Sequence, residues 1–326
     1  MRICVFGPGA IGGYLTARLA NAGFAVACIA RGEHLAAIRA NGLALESGGR
    51  TEITRPIATD DPAELGPQDF VILTLKAHQL PPAADGIAKL IGPGTTLVTC
   101  MNGMPWWYFH GLDGPLAGTR LRSVDPDGTL YEKLPPAQTL GAVVYISGEV
   151  RGPGVVRHTY SNRLVVGEPN GATSARVTLF AQAMEKAGLV CPVRPNIRNE
   201  IWLKLWGNLS FNPISALTGA TLVAMATDPG VSAVARAMMI EAQQVASRLG
   251  VTFPIDVERR IAIAAEVGAH KTSMLQDLER GRTIELDALL GAIVELGQLV
   301  GVATPMCGSI LALTRQRAQV AGCYAG

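Results

Sequence analysis

Three glycines near the amino terminus, Gly7, Gly9 and Gly12, have the spacing of a phosphate-binding turn. An apolar run precedes them and an amphipathic segment follows, which predicts a buried strand, a tight turn and a helix. The first glycine would permit the reversal, the second the approach of a pyrophosphate, and the third close packing of helix on strand. The N–H groups of the first helical residues, Ala10 and Ile11, would face the phosphates. These residues predict a dinucleotide site.

An arginine, Arg31, ends the second predicted strand, 19 residues beyond Gly12. Enzymes that use NAD usually place an acid here to accept a hydrogen bond from the ribose 2′-hydroxyl. In this chain no acid occurs before Glu33, and a guanidinium suits the 2′-phosphate of NADP(H), which a carboxylate would repel. The alternative is that Arg31 is an ordinary surface residue at a strand end. The sequence favours NADP(H) over NAD(H).

Lys204, Asn208 and Asn212 recur at four-residue intervals in a segment that is predicted to be helical. On a helix they form one stripe, with roughly 6 Å between neighbours. The other faces are strongly apolar, so the helix is predicted to be buried and the stripe to meet polar groups or a water-filled cleft. The alternative is a lysine that extends to solvent and two asparagines that bridge helices.

The composition excludes several classes of protein. The 326 residues are 48% hydrophobic and 17% charged, which is typical of a globular chain long enough for two domains. A net charge of +2 predicts no general attraction to nucleic acid or to an anionic membrane. The six cysteines and five histidines lack metal-ligand spacing, so we expect no metal and reduced thiols in the cytoplasm. The sequence contains no uninterrupted run of 18 apolar residues, so we predict no membrane span.

Strands and helices alternate through the first half of the chain, which predicts a parallel sheet with right-handed crossovers. Later strands are expected to be antiparallel and to complete the same sheet, and one more strand is expected near its end. These segments are residues 139–146, 154–159, 163–166 and 189–193. From residue 197 the apolar period is helical. The predicted fold is α/β, with a Rossmann-like NADP-binding domain at 1–195 and an all-α catalytic domain at 196–326.

The chain resembles the ketopantoate reductase (2-dehydropantoate 2-reductase) family over essentially its whole length. The resemblance rests on the GPGAIG turn, on Arg31 and on motifs further along. These are Leu75-Lys76-Ala77, Asn102-Gly103-Met104, the segments from Glu200 to Pro213 and from Ser273 to Asp277, and the segment from Gly281 to Asp287. The family reduces ketopantoate to pantoate with NADPH on the route to pantothenate and coenzyme A. The resemblance implies an oxidoreductase acting on a small 2-oxo acid.

The resemblance also implies catalytic roles for two residues. Lys204 matches the catalytic lysine, whose ammonium would stabilise and then protonate the alkoxide that hydride transfer creates. Glu285 matches an acid that would accept a hydrogen bond from the substrate hydroxyl and favour the charged lysine. Without the resemblance, Glu285 and Asp287 would be first-turn acids of a helix that Thr283 caps.

Other matched residues are implied to bind ligands. Asn208, Asn212 and Ser273 would contact the substrate, and Asn102 would lie beside both the nicotinamide and the substrate. Lys76 would lie near the cofactor. The plain alternatives are that Ser273 is a helix cap, that Asn102 belongs to a common Asn-Gly turn, and that Lys76 is solvated.

Two features depart from the family pattern. After Met104 the chain carries the aromatic insertion Pro105–His110, which compact family members lack. Its four aromatic residues would form a lid or wall for a bulkier substrate, or pack on the helical domain or a partner subunit. His270 stands where relatives carry a substrate-binding asparagine.

These departures leave alternatives open. One is a related reductase of a different, bulkier 2-oxo acid or imine, and another is an NADP(H)-binding sensor without turnover. A methyltransferase is disfavoured because such sites usually have an acid after the second strand. The oligomeric state stays open, with a homodimer as one option.

Overall fold

A computed structural model describes residues 1–324, which form two compact units. The sheet unit comprises Met1–Met101, Trp106–Arg120 and Gly128–Ile197. The helical unit comprises Asn102–Pro105, Leu121–Asp127 and the chain from Arg198 onward. The sequence predicts a single domain for all of residues 1–195. In the structure, two short segments of that half are grouped with the helices instead.

Eleven strands lie among the described residues of the sheet unit. They are β1 (Arg2–Phe6), β2 (Ala25–Ile29), β3 (Leu43–Ser47), β4 (Arg50–Thr54), β5 (Ile57–Thr59), β6 (Phe70–Leu73), β7 (Thr96–Thr99), β8 (Thr139–Val144), β9 (Ser147–Gly152), β10 (Val155–Tyr160) and β11 (Leu164–Gly167). Seven of them form the main sheet in the order β11-β8-β7-β6-β1-β2-β5. β1 pairs in parallel with both β6 and β2, so the strand order reverses beside β1, where open α/β sheets bind their ligands.

The strands after residue 139 do not all complete the main sheet, contrary to the prediction. β8 pairs in parallel with β7, and only β11, which pairs with β8, is antiparallel in the described sheet. β10 belongs to a second sheet in the order β4-β3-β10-β9, and the sequence did not predict β9. Residues 189–193 form two isolated bridges, Arg163 to Val190 and Val166 to Val193, and not a full strand.

Short helices connect the strands of the sheet unit. They are α1 (Ala10–Asn21), α2 (Gly32–Asn41), α3 (Leu80–Ala88), α4 (Thr129–Lys133) and α5 (Ala175–Lys186). α5 begins where Ser174 accepts a hydrogen bond from the Val177 N–H, as a serine cap should. α1 buries Leu15 and Leu19 in a core shared with β1 residues Ile3 and Val5. That shared core sets how α1 lies on the sheet.

Helices α6 to α12 follow. They are α6 (Ile197–Thr218), α7 (Leu222–Thr227), α8 (Pro229–Arg248), α9 (Val257–Glu266), α10 (Ser273–Glu279), α11 (Ala292–Val300) and α12 (Pro305–Val320). Asp228 and Asp256 cap α8 and α9. The helix predicted from Ile284 starts later, with a π-helical turn at Asp287–Gly291 ahead of α11. Within residues 1–324, no helix has the length and apolar character that crossing a bilayer requires.

The aromatic insertion is part of the core of the sheet unit. Trp106, Trp107, Tyr108 and Phe109 are all at most 2% exposed. The Trp107 indole donates to Thr99 Oγ1 on β7 at 3.2 Å, and the Trp106 indole donates to the Leu134 carbonyl at 3.1 Å. Rings buried to this degree are not an exposed lid or an exposed docking surface. Burying four large apolar rings stabilises the folded protein more than leaving them exposed would, which explains why they do not form the expected lid.

Replacing Trp107 with alanine should destabilise the protein and not change substrate choice. The substitution leaves a large cavity beside β7, for which about 3–5 kcal/mol of unfolding free energy is the usual loss. Denaturant unfolding measures this loss. Tyr160→Ala, which removes a 72% exposed ring from the same unit, is the matched control and should change stability little. A Trp107→Ala protein of normal stability and altered substrate preference would restore the lid hypothesis.

Candidate functional site

The glycine turn after β1 is held by neighbours on both sides. Gly7 has a φ of +93°, a left-handed conformation that favours glycine, and its N–H donates to the Ile29 carbonyl at the end of β2, at 3.1 Å. Thr74 directly follows β6, and its hydroxyl donates to the Gly7 carbonyl at 2.7 Å. Leu75 packs over Gly7, where a Cβ would lie 2.7 Å from its Cδ2. The turn is thus anchored to the strands on either side of β1.

The other two glycines differ in the space around them. A Cβ on Gly12 would lie 2.3 Å from the Gly7 carbonyl oxygen and 2.4 Å from Thr74 Oγ1, so α1 can approach the turn only without a side chain there. A Cβ on Gly9 would meet nothing within 4 Å. The structure therefore needs glycine at 12 for packing, whereas the open side at Gly9 suits the approach of a ligand to the backbone.

The N-terminus of α1 presents unpaired donors to that open side. The first N–H groups of a helix have no partner within it, and the N-cap residue Gly9 has no side chain to accept them. The first turn, which starts with Ala10 and Ile11, contains no acidic residue. Free N–H groups, the helix dipole and the absence of negative charge together fit a phosphate group.

Arg31 and Lys76 follow the two strands that flank β1. Arg31 is exposed and stands two residues after the end of β2, at the N-cap position of α2. Lys76 is half-buried, three residues after β6, and its N–H donates to Gln79 Oε1 at 3.1 Å. Since carboxyl ends of parallel strands meet at one edge of a sheet, both residues belong to the edge that carries the glycine turn.

The second group of predicted residues lies on α6. This helix buries Trp202, Leu205, Trp206 and Leu209, as its apolar faces predict. Among them lies the polar stripe, which we define as Lys204, Asn208 and Asn212. Lys204 and Asn208 are half-buried and Asn212 is 6% exposed.

The two asparagines of the polar stripe do not bridge helices. Within residues 1–324, the side-chain amides of Asn208 and Asn212 make no hydrogen bond to other residues. Neither amide is among the fully buried side-chain groups of the described residues that lack a partner, so each reaches space that water or a ligand can occupy. The hydrogen-bonding capacity of these amides is therefore left for a ligand or for water.

Glu285 lies just before an irregular helix start. The half-buried Glu285 precedes the π-helical turn, in which the Gly291 N–H reaches back to the Leu286 carbonyl at 3.3 Å. π-helical turns are rare overall, but those that do occur are often found at functional sites. The sequence-based alternative of a Thr283 cap is wrong, because the turn begins four residues later, at Asp287, with no side-chain cap. Arg315 pairs with Asp287 at 3.0 Å and helps to hold this start in place.

The loop that carries Asn102 packs against the same segment. The Met104 N–H donates to the Ala288 carbonyl at 2.8 Å, and a Cβ on Gly103 would lie 2.6 Å from that oxygen. Gly103 also has a φ of +90°. Asn102, half-buried, is thereby held in the helical unit together with Glu285, although it follows a strand of the main sheet.

Ser273 and His270 occupy the entrance to α10. Ser273 is exposed and is the first residue of α10, but it is not the cap, because Thr272 accepts the Leu275 N–H at 3.3 Å. The Ser273 cap hypothesis is therefore wrong, and its hydroxyl is not committed to the helix N-terminus. His270 is exposed, and its carbonyl accepts the Leu222 N–H from the start of α7 at 2.9 Å.

A cation that the sequence analysis missed lies against α6. Three guanidinium atoms of Arg260, on α9, would lie within 3.0 Å of a Cβ at Gly207, the nearest at 1.7 Å. Gly207 is next to Asn208 and one turn from Lys204, so this positive charge lies beside the polar stripe. No spacing signal could have revealed it, because residues 207 and 260 become neighbours only by tertiary packing.

The matching family models cover both units. A model described as ketopantoate reductase PanE/ApbA matches residues 3–106, and one described as the C terminal of the same reductase matches residues 196–318. A curated 2-dehydropantoate 2-reductase from Mesorhizobium japonicum is 56% identical over 99% of this chain and 100% of its own length.

The chain belongs to the ketopantoate reductase family. It is therefore an oxidoreductase of the class that acts on CH–OH groups and uses a nicotinamide cofactor. The resemblance seen in the sequence is confirmed by these matches, and the predicted fold class by the structure.

Other relatives are more distant. A 2-dehydropantoate 2-reductase from Halobacterium salinarum is 28% identical over 97% of this chain and 98% of its own length. The solved structure of a candidate ketopantoate reductase from Ralstonia solanacearum MolK2 is similar with a TM-score of 0.95 and 45% identity, covering 99% of each chain. A D-mandelate dehydrogenase solved with NADH and anilino(oxo)acetate has a TM-score of 0.84 at 22% identity over 98% of this chain and 99% of its own, which shows the fold alone.

The glycine turn yields a prediction that separates packing from ligand approach. Gly12→Ala should lose about 1–3 kcal/mol of unfolding free energy, because its Cβ collides with backbone. Gly9→Ala should keep wild-type stability and weaken nicotinamide nucleotide binding, since only the ligand side is open. Denaturant unfolding and nucleotide titration measure the two effects. Gly94→Ala, also with open space around it, is the control. Equal stability of the Gly12 and Gly9 variants would contradict the packing argument.

Proposed function

We propose that this protein reduces 2-dehydropantoate (ketopantoate) to pantoate and that it uses NADPH. Curated relatives are named 2-dehydropantoate 2-reductase, which supports the choice of substrate. The observation that carries the proposal is the polar stripe on a buried helix in a member of this family. Lys204 is the proton donor of this stripe, and the Asn208 and Asn212 side-chain amides, which make no hydrogen bond among residues 1–324, supply the polar contacts that a small ketone needs. The proposal includes a role in pantothenate and coenzyme A synthesis.

Lys204 is the proposed proton donor. The cofactor, when bound, supplies a hydride to the ketone carbon of the substrate. The ketone oxygen then carries negative charge, which the Lys204 ammonium stabilises before giving up a proton. Glu285 accepts a hydrogen bond from the substrate hydroxyl, and its carboxylate favours the charged form of the lysine.

Asn208, Asn212, Ser273 and Asn102 are the proposed substrate contacts. Asn212 supports this assignment because the residue is only 6% exposed and its side-chain amide makes no hydrogen bond among the described residues. Asn102 is supported by the packing of its loop on the segment after Glu285. Ser273 is supported by a hydroxyl that does not serve as the α10 cap. Its proposed partner is the substrate carboxylate.

Gly7, Gly9, Ala10, Ile11 and Gly12 are the proposed phosphate-binding residues. The open side at Gly9 and the uncapped start of α1 support them. Together with Arg31, Lys76 and Asn102 they make up the proposed NADP(H) contacts.

The alternatives find less support. Two features leave open a bulkier 2-oxo acid or imine. The rings of the aromatic insertion are buried in the core of the sheet unit, and His270 is exposed and stays the one departure that keeps this alternative. A sensor that binds NADP(H) without turnover leaves the polar stripe without a purpose. A cytoplasmic location is part of the proposal and is supported by six buried cysteines in the reduced thiol form. Burial raises the pKa of the Cys28 and Cys191 thiols to about 12, which keeps them protonated and unreactive. A homodimer stays a prediction.

Lys204→Ala should lower kcat for ketopantoate reduction by about 10²–10⁴-fold, the usual contribution of a general acid. Lys204→Arg keeps the positive charge but holds its proton too tightly to donate it, so kcat should fall while the KM for ketopantoate stays close to wild type. Steady-state NADPH consumption measures both constants. Lys89→Ala, which removes a surface lysine paired with Asp61, is the control. Wild-type turnover by Lys204→Ala would remove this lysine from the mechanism.

Arg31→Ala should raise the KM for NADPH by about 10–100-fold, the equivalent of one lost hydrogen bond to a charged group. The KM for NADH should change little, because NADH has no 2′-phosphate. Arg39→Ala is the matched control, since Arg39 is an exposed arginine on the same helix that bonds the Ala58 carbonyl instead. A parallel loss with both nucleotides, or a wild-type enzyme that prefers NADH, would contradict the NADP(H) assignment.

A further inference from the structure

His34 bridges the glycine turn and the second sheet. It lies on α2, three residues after Arg31, and is half-buried. Its Nε2 lies 2.8 Å from the Pro8 carbonyl oxygen, between the first two glycines of the turn. Its Nδ1 accepts the N–H of Gly154 at 3.0 Å. One imidazole therefore links three separate segments of the sheet unit.

The chemistry of the partners determines the tautomer of this imidazole. A backbone N–H can only donate, so the Nδ1 that faces Gly154 must carry a lone pair. A carbonyl can only accept, so the Nε2 that faces Pro8 must carry the proton. Both contacts are satisfied only by the neutral Nε2–H form. His34 acts here as a two-sided connector and not as a charged ligand for phosphate.

The contact with His34 completes the restraint of the Pro8–Gly9 peptide. This peptide unit is planar, so the directions of the Pro8 carbonyl and the Gly9 N–H are coupled. The Gly9 N–H donates to the Gly7 carbonyl at 2.7 Å, and the Pro8 carbonyl accepts from His34. With both ends held, the peptide cannot rotate freely, and the open side of Gly9 keeps one orientation toward an approaching pyrophosphate.

The second sheet supports the turn through the same contact. Gly154, with a φ of +72°, lies in the tight connection between β9 and β10, and its Cβ position is 3.1 Å from the Ala37 Cβ on α2. From β10, Val156 packs on α1 so closely that a Cβ on Gly13 would lie 2.6 Å from its Cγ2. The β9–β10 hairpin thus braces both helices that flank the turn.

We propose that His34 is a positioning residue for nicotinamide nucleotide binding, which holds the Pro8–Gly9 peptide in its binding orientation and transmits support from the β9–β10 hairpin. The proposal rests on the proposed cofactor site at the glycine turn. It does not depend on which ketone the enzyme reduces.

The test compares His34→Phe with His34→Gln in the full-length protein. Phenylalanine keeps the ring and removes both hydrogen bonds, so the Kd for NADPH should rise by about five- to tenfold, the equivalent of one or two modest hydrogen bonds. Glutamine offers one acceptor and one donor and should restore most of the affinity. The KM for NADPH should follow the Kd, whereas kcat and the KM for the ketone should stay close to wild type. Hydrogen exchange at the Gly154 amide should accelerate in His34→Phe alone.

His158→Phe is the matched control. His158 is also half-buried and bridges two segments of the second sheet, with its Nε2 2.6 Å from the Ser161 carbonyl and its Nδ1 3.0 Å from Ser47 Oγ. A phenylalanine there keeps the stack on Tyr14 and should leave the Kd unchanged.

Three outcomes would overturn the inference. They are an unchanged Kd in His34→Phe, an equal loss in His158→Phe, and a wild-type protein that binds neither NADPH nor NADH. Because nucleotide binding is measured without a ketone, a protein that binds NADPH but does not reduce ketopantoate would refute the proposed function and leave the role of His34 intact.

Discussion

The close approach of α1 to the turn at Gly12 is the constraint on which the cofactor side of this molecule depends. A Cβ at position 12 would lie 2.3 Å from the Gly7 carbonyl oxygen. Position 12 must therefore be glycine for α1 to pack this closely on the turn that follows β1. The same carbonyl oxygen accepts from Thr74 and from the Gly9 N–H. The turn is therefore not a flexible glycine loop, because hydrogen bonds with Thr74 after β6, with Ile29 at the end of β2 and with His34 on α2 restrain it before a ligand arrives.

Preorganisation of this kind has a physical reason. A pyrophosphate bound by backbone N–H groups gains most when those groups already point at it, since ordering a loop on binding costs free energy. Here the second sheet, which lies outside the dinucleotide-binding pattern, supplies part of that order. Gly154 and Val156 contact α2 and α1 through His34 and Gly13 respectively.

In the helical unit, the apolar helix α6 has to keep the polar side chains of the polar stripe available for a ligand. Asparagine is a mediocre helix former and disfavours a helix by about half a kcal/mol relative to alanine. The side chains of Asn208 and Asn212 on α6 make no hydrogen bond among residues 1–324, so they lower the helix propensity while their amides stay available to a ligand or to water. The π-helical turn after Glu285 and the loop at Gly103 are two further local irregularities in the same unit. Such departures from regular structure are expected where function is selected over stability.

Much of this molecule could be predicted from local pattern alone. The βαβ start, the glycine turn, the helical second half and the stripe at Lys204 all depend on periodicity and spacing between near neighbours in the chain, which a sequence displays directly. The family resemblance then supplied roles for Glu285 and Ser273 that their own surroundings do not reveal. Tertiary structure decided what depends on contacts between distant residues. It buried the aromatic insertion against Thr99, separated β10 into a second sheet, grouped Asn102 with the helices and brought His34 to Pro8. Strand pairing and side-chain packing are determined by which surfaces meet, and no local spacing records that.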